Sequence, residues 1–186
     1  MEPEYEARFC DIDAHAIAHR LKTNGAQQTL PRTLMRRIVF KNDDITARGG
    51  WLRLRDQGNE VTLTYKQTTA EQSAIDSILE AEIVVSDFQQ TRQLLEAMNF
   101  TALRYQENYR EEWHMDGVTY DIDTWPDLPT FLEIEGPGEQ SVRSAAAALG
   151  LNFDEATYGS VDEVYLNQLG RDILSEPTLT FETPAQ

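Results

Sequence analysis

Residues 4–10 alternate, with Glu4, Glu6 and Arg8 on one side and Tyr5, Ala7 and Phe9 on the other, a period of two that predicts a β-strand. Strand patterns recur at Met35–Lys41, Trp51–Arg55, Val61–Lys66, Ile78–Val85, Tyr105–Met115, Val118–Thr124 and Thr130–Glu135. Asp56-Gln57-Gly58-Asn59 is a hairpin signal, and Asp116-Gly117 is the favoured pair of a two-residue type I′ turn. Asn42–Gly50, with two aspartates and two glycines, reads as a loop. Helical periodicity is confined to four stretches. One opens at Asp11 or Asp13 and runs to about Lys22, ending near Asn24-Gly25; another opens at Asp87 and gathers Phe88, Leu94, Leu95 and Met98 on one broad face. The third is Gln140–Leu149, stopped by Gly150. The last is opened by the capping box Ser160-Val161-Asp162-Glu163 and closed by Gly170. About eight strands joined mostly by short turns predict an α+β protein: an antiparallel meander closing into a barrel. Neither an internal repeat nor a Gly-, Ser- or Pro-rich linker divides the chain, so residues 1–175 read as one domain. Residues 176–186 read either as a loose tail or, through Leu179–Phe181, as an added strand.

The same alternation repeatedly gathers charge on one face. Glu4/Glu6/Arg8, Arg53/Arg55, Thr62/Thr64/Lys66, Glu80/Glu82, Asp121/Asp123 and Glu133/Glu135 each occupy one side of a strand. A solvated outer face explains any single strand, but outer faces mix signs, whereas here whole strands are basic or acidic. The alternative is a wide barrel whose interior is polar and whose apolar outer face is covered by helices. Arginine and lysine in such an interior supply charge-assisted hydrogen bonds to phosphate oxygens. Clustered carboxylates there call for a hard divalent cation. The implied ligand is a metal–polyphosphate complex.

Composition sharpens that picture. Among 186 residues, 32 are Asp or Glu and 16 are Lys or Arg, a formal net charge of −16. Residues 1–66 hold 11 basic against 9 acidic side chains, and the remainder 5 against 23. The acidic average argues against nucleic acid on the outer surface, yet leaves room for an anion held by the early, basic strands. A hydrophobic fraction of 40% suits a globular chain. No apolar run approaches the ~18–20 residues of a membrane span, and Met1-Glu2-Pro3-Glu4 has no signal-peptide character, so a cytoplasmic protein without membrane association is expected. The single cysteine, Cys10, excludes an intramolecular disulfide framework and reads as a small buried residue. His15 and His19 stand four apart on a predicted helix without a third ligand, and His114 neighbours Trp113 in a hairpin arm; all three read as structural or solvated. Trp125-Pro126 shapes a turn between acidic strands, or places a ring at a tunnel mouth.

Taken in order, these residues resemble the CYTH family, the triphosphate tunnel metalloenzymes, which includes class IV adenylate cyclases, thiamine triphosphatases, inorganic tripolyphosphatases and fungal RNA triphosphatases. Glu4-Tyr5-Glu6-Ala7-Arg8 is similar to the family's N-terminal Glu-x-Glu-x-Lys strand, with arginine for lysine. Leu52-Arg53-Leu54-Arg55, Thr62-Leu63-Thr64-Tyr65-Lys66, Glu80-Ala81-Glu82, Asp121-Ile122-Asp123 and Phe131-Leu132-Glu133-Ile134-Glu135 follow in family order over roughly residues 4–170. The resemblance implies an eight-stranded antiparallel tunnel holding a triphosphate such as ATP, thiamine triphosphate or tripolyphosphate, with Mg²⁺ or Mn²⁺, and leaves a homodimer open. By position, Arg8, Arg37, Arg53, Arg55, Lys66 and Arg110 would grip phosphates, Glu4, Glu6, Asp121, Asp123, Glu133 and Glu135 would hold metal, and Glu4, Glu6, Arg8 and Lys66 would serve catalysis. Two positions depart from the family pattern: Arg8, and Asn108-Tyr109-Arg110 where a Lys-x-Arg pair is common. The implied reaction is hydrolysis of a triphosphate or cyclisation of ATP to cyclic AMP. The alternative is a polyphosphate- or phospholigand-binding module without turnover.

Overall fold

A computed structural model describes residues 2–68 and 78–181, the first three of these by backbone alone. The strands are β1 (Glu2–Phe9), β2 (Gln27–Lys41), β3 (Gly50–Asp56), β4 (Val61–Thr68), β5 (Ile78–Val85), β6 (Thr101–Met115), β7 (Val118–Thr124), β8 (Phe131–Gly136) and β9 (Thr178–Leu179). The helices are α1 (Ala14–Thr23), α2 (Asp43–Thr46), α3 (Phe88–Ala97), α4 (Glu139–Ala148) and α5 (Val161–Leu169). Hydrogen bonding runs β2-β3-β4-β5-β1-β8-β7-β6, and β6 then pairs back onto β2 along nearly the full length of both strands. These eight antiparallel strands therefore form a ring. Beyond the end of β7, β9 adds to the free side of β6 at Tyr105 and Gln106, in parallel, and the Phe181 ring lies 4.9 Å from that of Tyr109.

Local chemistry places the elements as expected. The Asp13 carboxylate accepts from the Ala16 amide and opens α1, and Asp87 does the same for the Gln90 amide at α3. At Asp116 and Gly117 φ is +52° and +75°, the two positive values a type I′ turn demands. Asn42 caps α2 where a loop was expected, accepting from the Ile45 amide. Gly170 closes α5 in the left-handed conformation, but no capping box forms at its start. The Ser160 side chain makes no capping bond, and the Glu163 carboxylate lies against Gly159 instead.

The outer face of the barrel carries the core. Ala7 and Phe9 of β1, Tyr120 and Ile122 of β7, and Leu132 and Ile134 of β8 pack under Ile17 and Leu21 of α1 and Val142, Ala145 and Ala146 of α4. On the other side, Ile38 and Phe40 of β2 and Leu54 of β3 meet Leu95 of α3. Each such large side chain is worth about 1.5–3 kcal/mol of burial, enough to turn the apolar faces outward, under the helices. The alternating partners of these residues are the charged ones, and they are left to face inward. Phe131, on the same side of β8 as Glu133, joins Trp125, Val164, Tyr165 and Ile173 in a separate apolar cluster that borders the interior beside α5.

Candidate functional site

The barrel interior is a cavity of about 820 Å³, within the range of small-molecule sites. Its wall changes sign around the ring. β2 contributes Arg37, β3 Arg53 and Arg55, and β4 Lys66; β5 contributes Glu80 and Glu82; β1 contributes Glu6 and Arg8, β8 Glu133 and Glu135, β7 Asp121 and Asp123, and β6 Arg110. The structure thus brings together every site residue expected from the sequence except Glu4, whose side chain lies outside the described residues. It also adds Arg104 of β6 and Trp51 of β3 to the lining. Arg104 follows the parity of Gln106 and Arg110 along β6, and was missed because the strand begins four residues before its recognisable pattern.

On the acidic side the carboxylates are already engaged by guanidinia. Arg110 reaches Asp123 with two bonds, Nε to Oδ1 at 2.8 Å and Nη2 to Oδ2 at 2.7 Å, and also Asp121 at 2.5 Å and Glu133 at 3.1 Å. Arg8 holds Glu133 through Nε and Nη2 at 2.9 and 2.7 Å, and also reaches Glu6 at 3.3 Å and the Gly159 carbonyl at 2.9 Å. Burial alone would raise the Glu133 carboxyl, but Arg8 and Arg110 outweigh it and hold it at about 2. Asp121 goes the other way: burial first, then the nearby Asp123 and Glu133, push it well above the usual carboxylate range despite Arg110. Its Oδ1 is buried without a hydrogen-bond partner. Two guanidinia, Arg8 and Arg110, face four carboxylates, Glu6, Asp121, Asp123 and Glu133, which leaves negative charge in surplus.

On the basic side the imbalance is reversed. Arg37 and Arg55 face each other directly across β2 and β3, both buried, and among the described residues no ion pair joins either of them to a carboxylate. Burial, with Arg53 and Arg110 adding repulsion, lowers the Arg55 guanidinium to about 9. Burial and the charges of Arg55 and Arg53 also lower Arg37. Nε of Arg37, Arg53 and Arg55 is buried without an acceptor. Arg37 stacks on the Trp125 ring at 4.0 Å, so Trp125 sits buried behind a guanidinium and not at an open mouth, as its place between acidic strands had allowed. Lys66 pairs with Glu80 at 2.7 Å, and Arg53 reaches Glu82 at 3.5 Å.

Asp121, Asp123 and Glu133 form a hard, anionic oxygen set, the donor chemistry of Mg²⁺ or Mn²⁺, and the orphaned Asp121 Oδ1 fits a cation ligand. Among the described residues, no group of three or more His, Cys, Asp or Glu is arranged to hold a metal ion, and Arg110 contacts all three of these carboxylates. Cys10 is half-buried and burial pushes its thiol up, which suits a structural residue, and His15, His19 and His114 are exposed away from the cavity.

A closed antiparallel barrel with its apolar face outward and a charged tunnel within defines a fold class shared with known proteins. Residues 2–157 match the CYTH domain, and the chain belongs to that family. Among solved structures it is similar to a provisionally assigned adenylate cyclase from Vibrio parahaemolyticus (13% identity, TM-score 0.73, covering 88% of this chain and 97% of that one). It is also similar to the PH1012 protein of Pyrococcus horikoshii OT3 (19%, 0.67, 82% and 93%). A third is HpAC1 from Hippeastrum, a provisional adenylyl cyclase with a dominant triphosphatase activity (14%, 0.55, 92% and 97%). At these identities the likeness is one of fold. No curated protein matches the chain.

Proposed function

We propose that this protein is a divalent-metal-dependent triphosphatase that hydrolyses a triphosphate held inside the barrel. The observation that carries this reading is the pair Arg37 and Arg55, buried face to face in a cavity of about 820 Å³ with no ion pair to a carboxylate among the described residues. Two buried like charges are a standing cost that only an anion offsets, and a chain of phosphates places several anionic oxygens along one line. Arg53 and Lys66 extend the basic wall, and the planar forks of the arginines suit bidentate contact with phosphate. Catalysis of phosphoryl transfer rests on positioning and charge stabilisation, so no side chain has to act as a covalent nucleophile. Asp121, Asp123, Glu133, Glu135 and Glu6 would hold Mg²⁺ or Mn²⁺ beside the phosphates, with Glu4 continuing the same strand face. Such a cation supplies charge neutralisation and a water of lowered pKa.

The dominant triphosphatase activity of HpAC1, a protein of the same fold, supports hydrolysis over cyclisation. The second reading, a binding module without turnover, is favoured by one feature: Arg8 and Arg110 already neutralise the carboxylates a metal needs. Phosphate release from tripolyphosphate, thiamine triphosphate and ATP with Mg²⁺ or Mn²⁺ separates the readings. Hydrolysis of at least one, reduced roughly a hundredfold or more in Glu133→Gln, is expected. Cyclic AMP from ATP would move the assignment to cyclisation. Tight binding without product under either metal would leave the binding module.

A further inference from the structure

We infer that Arg110 is an internal counter-ion that keeps the cation-binding carboxylates of the barrel closed until a polyanion draws it away, so that anion and metal bind cooperatively. This rests on the triphosphate reading of the cavity. Arg110 stands on β6 directly opposite Asp123, and its guanidinium touches Asp121, Asp123 and Glu133 at 2.5 to 3.1 Å. Those are the oxygens a hard divalent ion would take. A metal ion and a guanidinium cannot both sit a few ångströms from the same oxygens without strong mutual repulsion, so the metal position exists only once Arg110 has left.

Arg110 has somewhere to go. It stands close enough to Arg37 and Arg55 for its charge to disfavour theirs. An anion seated on those two residues lies within the field of Arg110 and offers it a new partner. Its side chain is long and flexible, and the next inward-facing position on β6, Asn108, has a buried amide with no hydrogen-bond partner, so Asn108 does not hydrogen-bond Arg110 in place. Arg8 is built differently. It is 3% exposed and adds the Gly159 backbone carbonyl to its carboxylate partners Glu133 and Glu6, whereas the partners of Arg110 among the described residues are carboxylates alone. The consequence is reciprocal: polyanion binding raises metal affinity, and metal binding raises polyanion affinity by the same factor.

The test is Mn²⁺ binding to the metal-free protein without any phosphate, read by the electron paramagnetic resonance of free Mn²⁺ and by the melting temperature. Wild type is expected to bind Mn²⁺ weakly and to melt at nearly the same temperature with or without it. Arg110→Ala is expected to bind Mn²⁺ roughly tenfold or more tightly than wild type, to melt lower without the ion and to recover with it. Arg110→Gln, which keeps length and donors but loses the charge, repeats the measurement should the alanine protein fold poorly. Mn²⁺ affinity in both variants no greater than in wild type, with no stabilisation by the ion, overturns the inference. Because the readout needs no turnover, that failure alongside normal triphosphate hydrolysis removes only the counter-ion role. Absence of both hydrolysis and polyphosphate binding in wild type removes the reading beneath it.

Discussion

Arg55 lies directly opposite Arg37, and like charges facing each other across two strands weaken a sheet unless something is bound between them. Burial, with repulsion from Arg53 and Arg110, lowers the Arg55 guanidinium to about 9, so its charged form is disfavoured in the ligand-free protein. A base disfavoured in its charged form burdens the ligand-free protein for as long as it keeps its proton, and an arginine keeps it. Binding of a triphosphate acts in the opposite direction, since it favours the charged guanidinium. Affinity for tripolyphosphate should therefore fall roughly tenfold or more in Arg55→Gln, while the melting temperature of the ligand-free variant holds or rises. Titration calorimetry and thermal melting of the two proteins check this, and equal affinities would contradict it. Burial and the charges of Arg53 and Arg110 disfavour the charged Arg55, and Asp123 and Asp121 oppose them, so the cost belongs to the cluster and not to one side chain.

At the scale of single elements, the alternation that predicts the strands also predicts which face is inside, because a period of two assigns every second residue together. That is why Arg53/Arg55, Asp121/Asp123 and Glu133/Glu135 were legible as one lining before any fold was known. Some elements were not legible. The first half of β2 was missed because Pro31 and the polar run around it break the alternation, and the pairing with β6 slips between Gln28 and Leu30 and again between Leu30 and Thr33. The matching of Arg8 with Glu133 and of Arg110 with Asp123 was also hidden, since it depends on register between strands, which alternation does not contain. The sequence therefore showed carboxylates suited to metal but not the guanidinia that occupy them. The β6–β7 hairpin offers a direct check on turn chemistry. A Cβ on Gly117 would meet nothing within 4 Å, so Gly117→Ala tests the positive φ alone, and a loss of about 1 kcal/mol in urea unfolding is expected. No loss would show that the turn does not need the left-handed conformation.

At the scale of the whole molecule, the net charge of −16 resolves into two halves of one barrel: a basic arc on β2, β3 and β4, and an acidic arc on β1, β8 and β7. The basic arc is consecutive in the chain, β2 to β4, and lies within the first 66 residues, whereas β1 leaves them to join the acidic arc between β5 and β8. Among the described residues, no helix is long and apolar enough to cross a membrane. The mean field repels polyanions, so affinity for one has to come from the buried arginines at close range. The most direct measurement is calorimetric titration of tripolyphosphate into metal-free wild type and into an Arg37→Ala, Arg55→Ala double variant, with melting temperatures of both. One-to-one binding by wild type, weakened roughly a hundredfold or more in the variant while its melting temperature holds or rises, is the predicted result, since removing unmatched buried charges relieves the free protein. Equal affinity in the two proteins, or a variant that binds as wild type does but melts far lower, would contradict the assignment of this pair as the anion receptor.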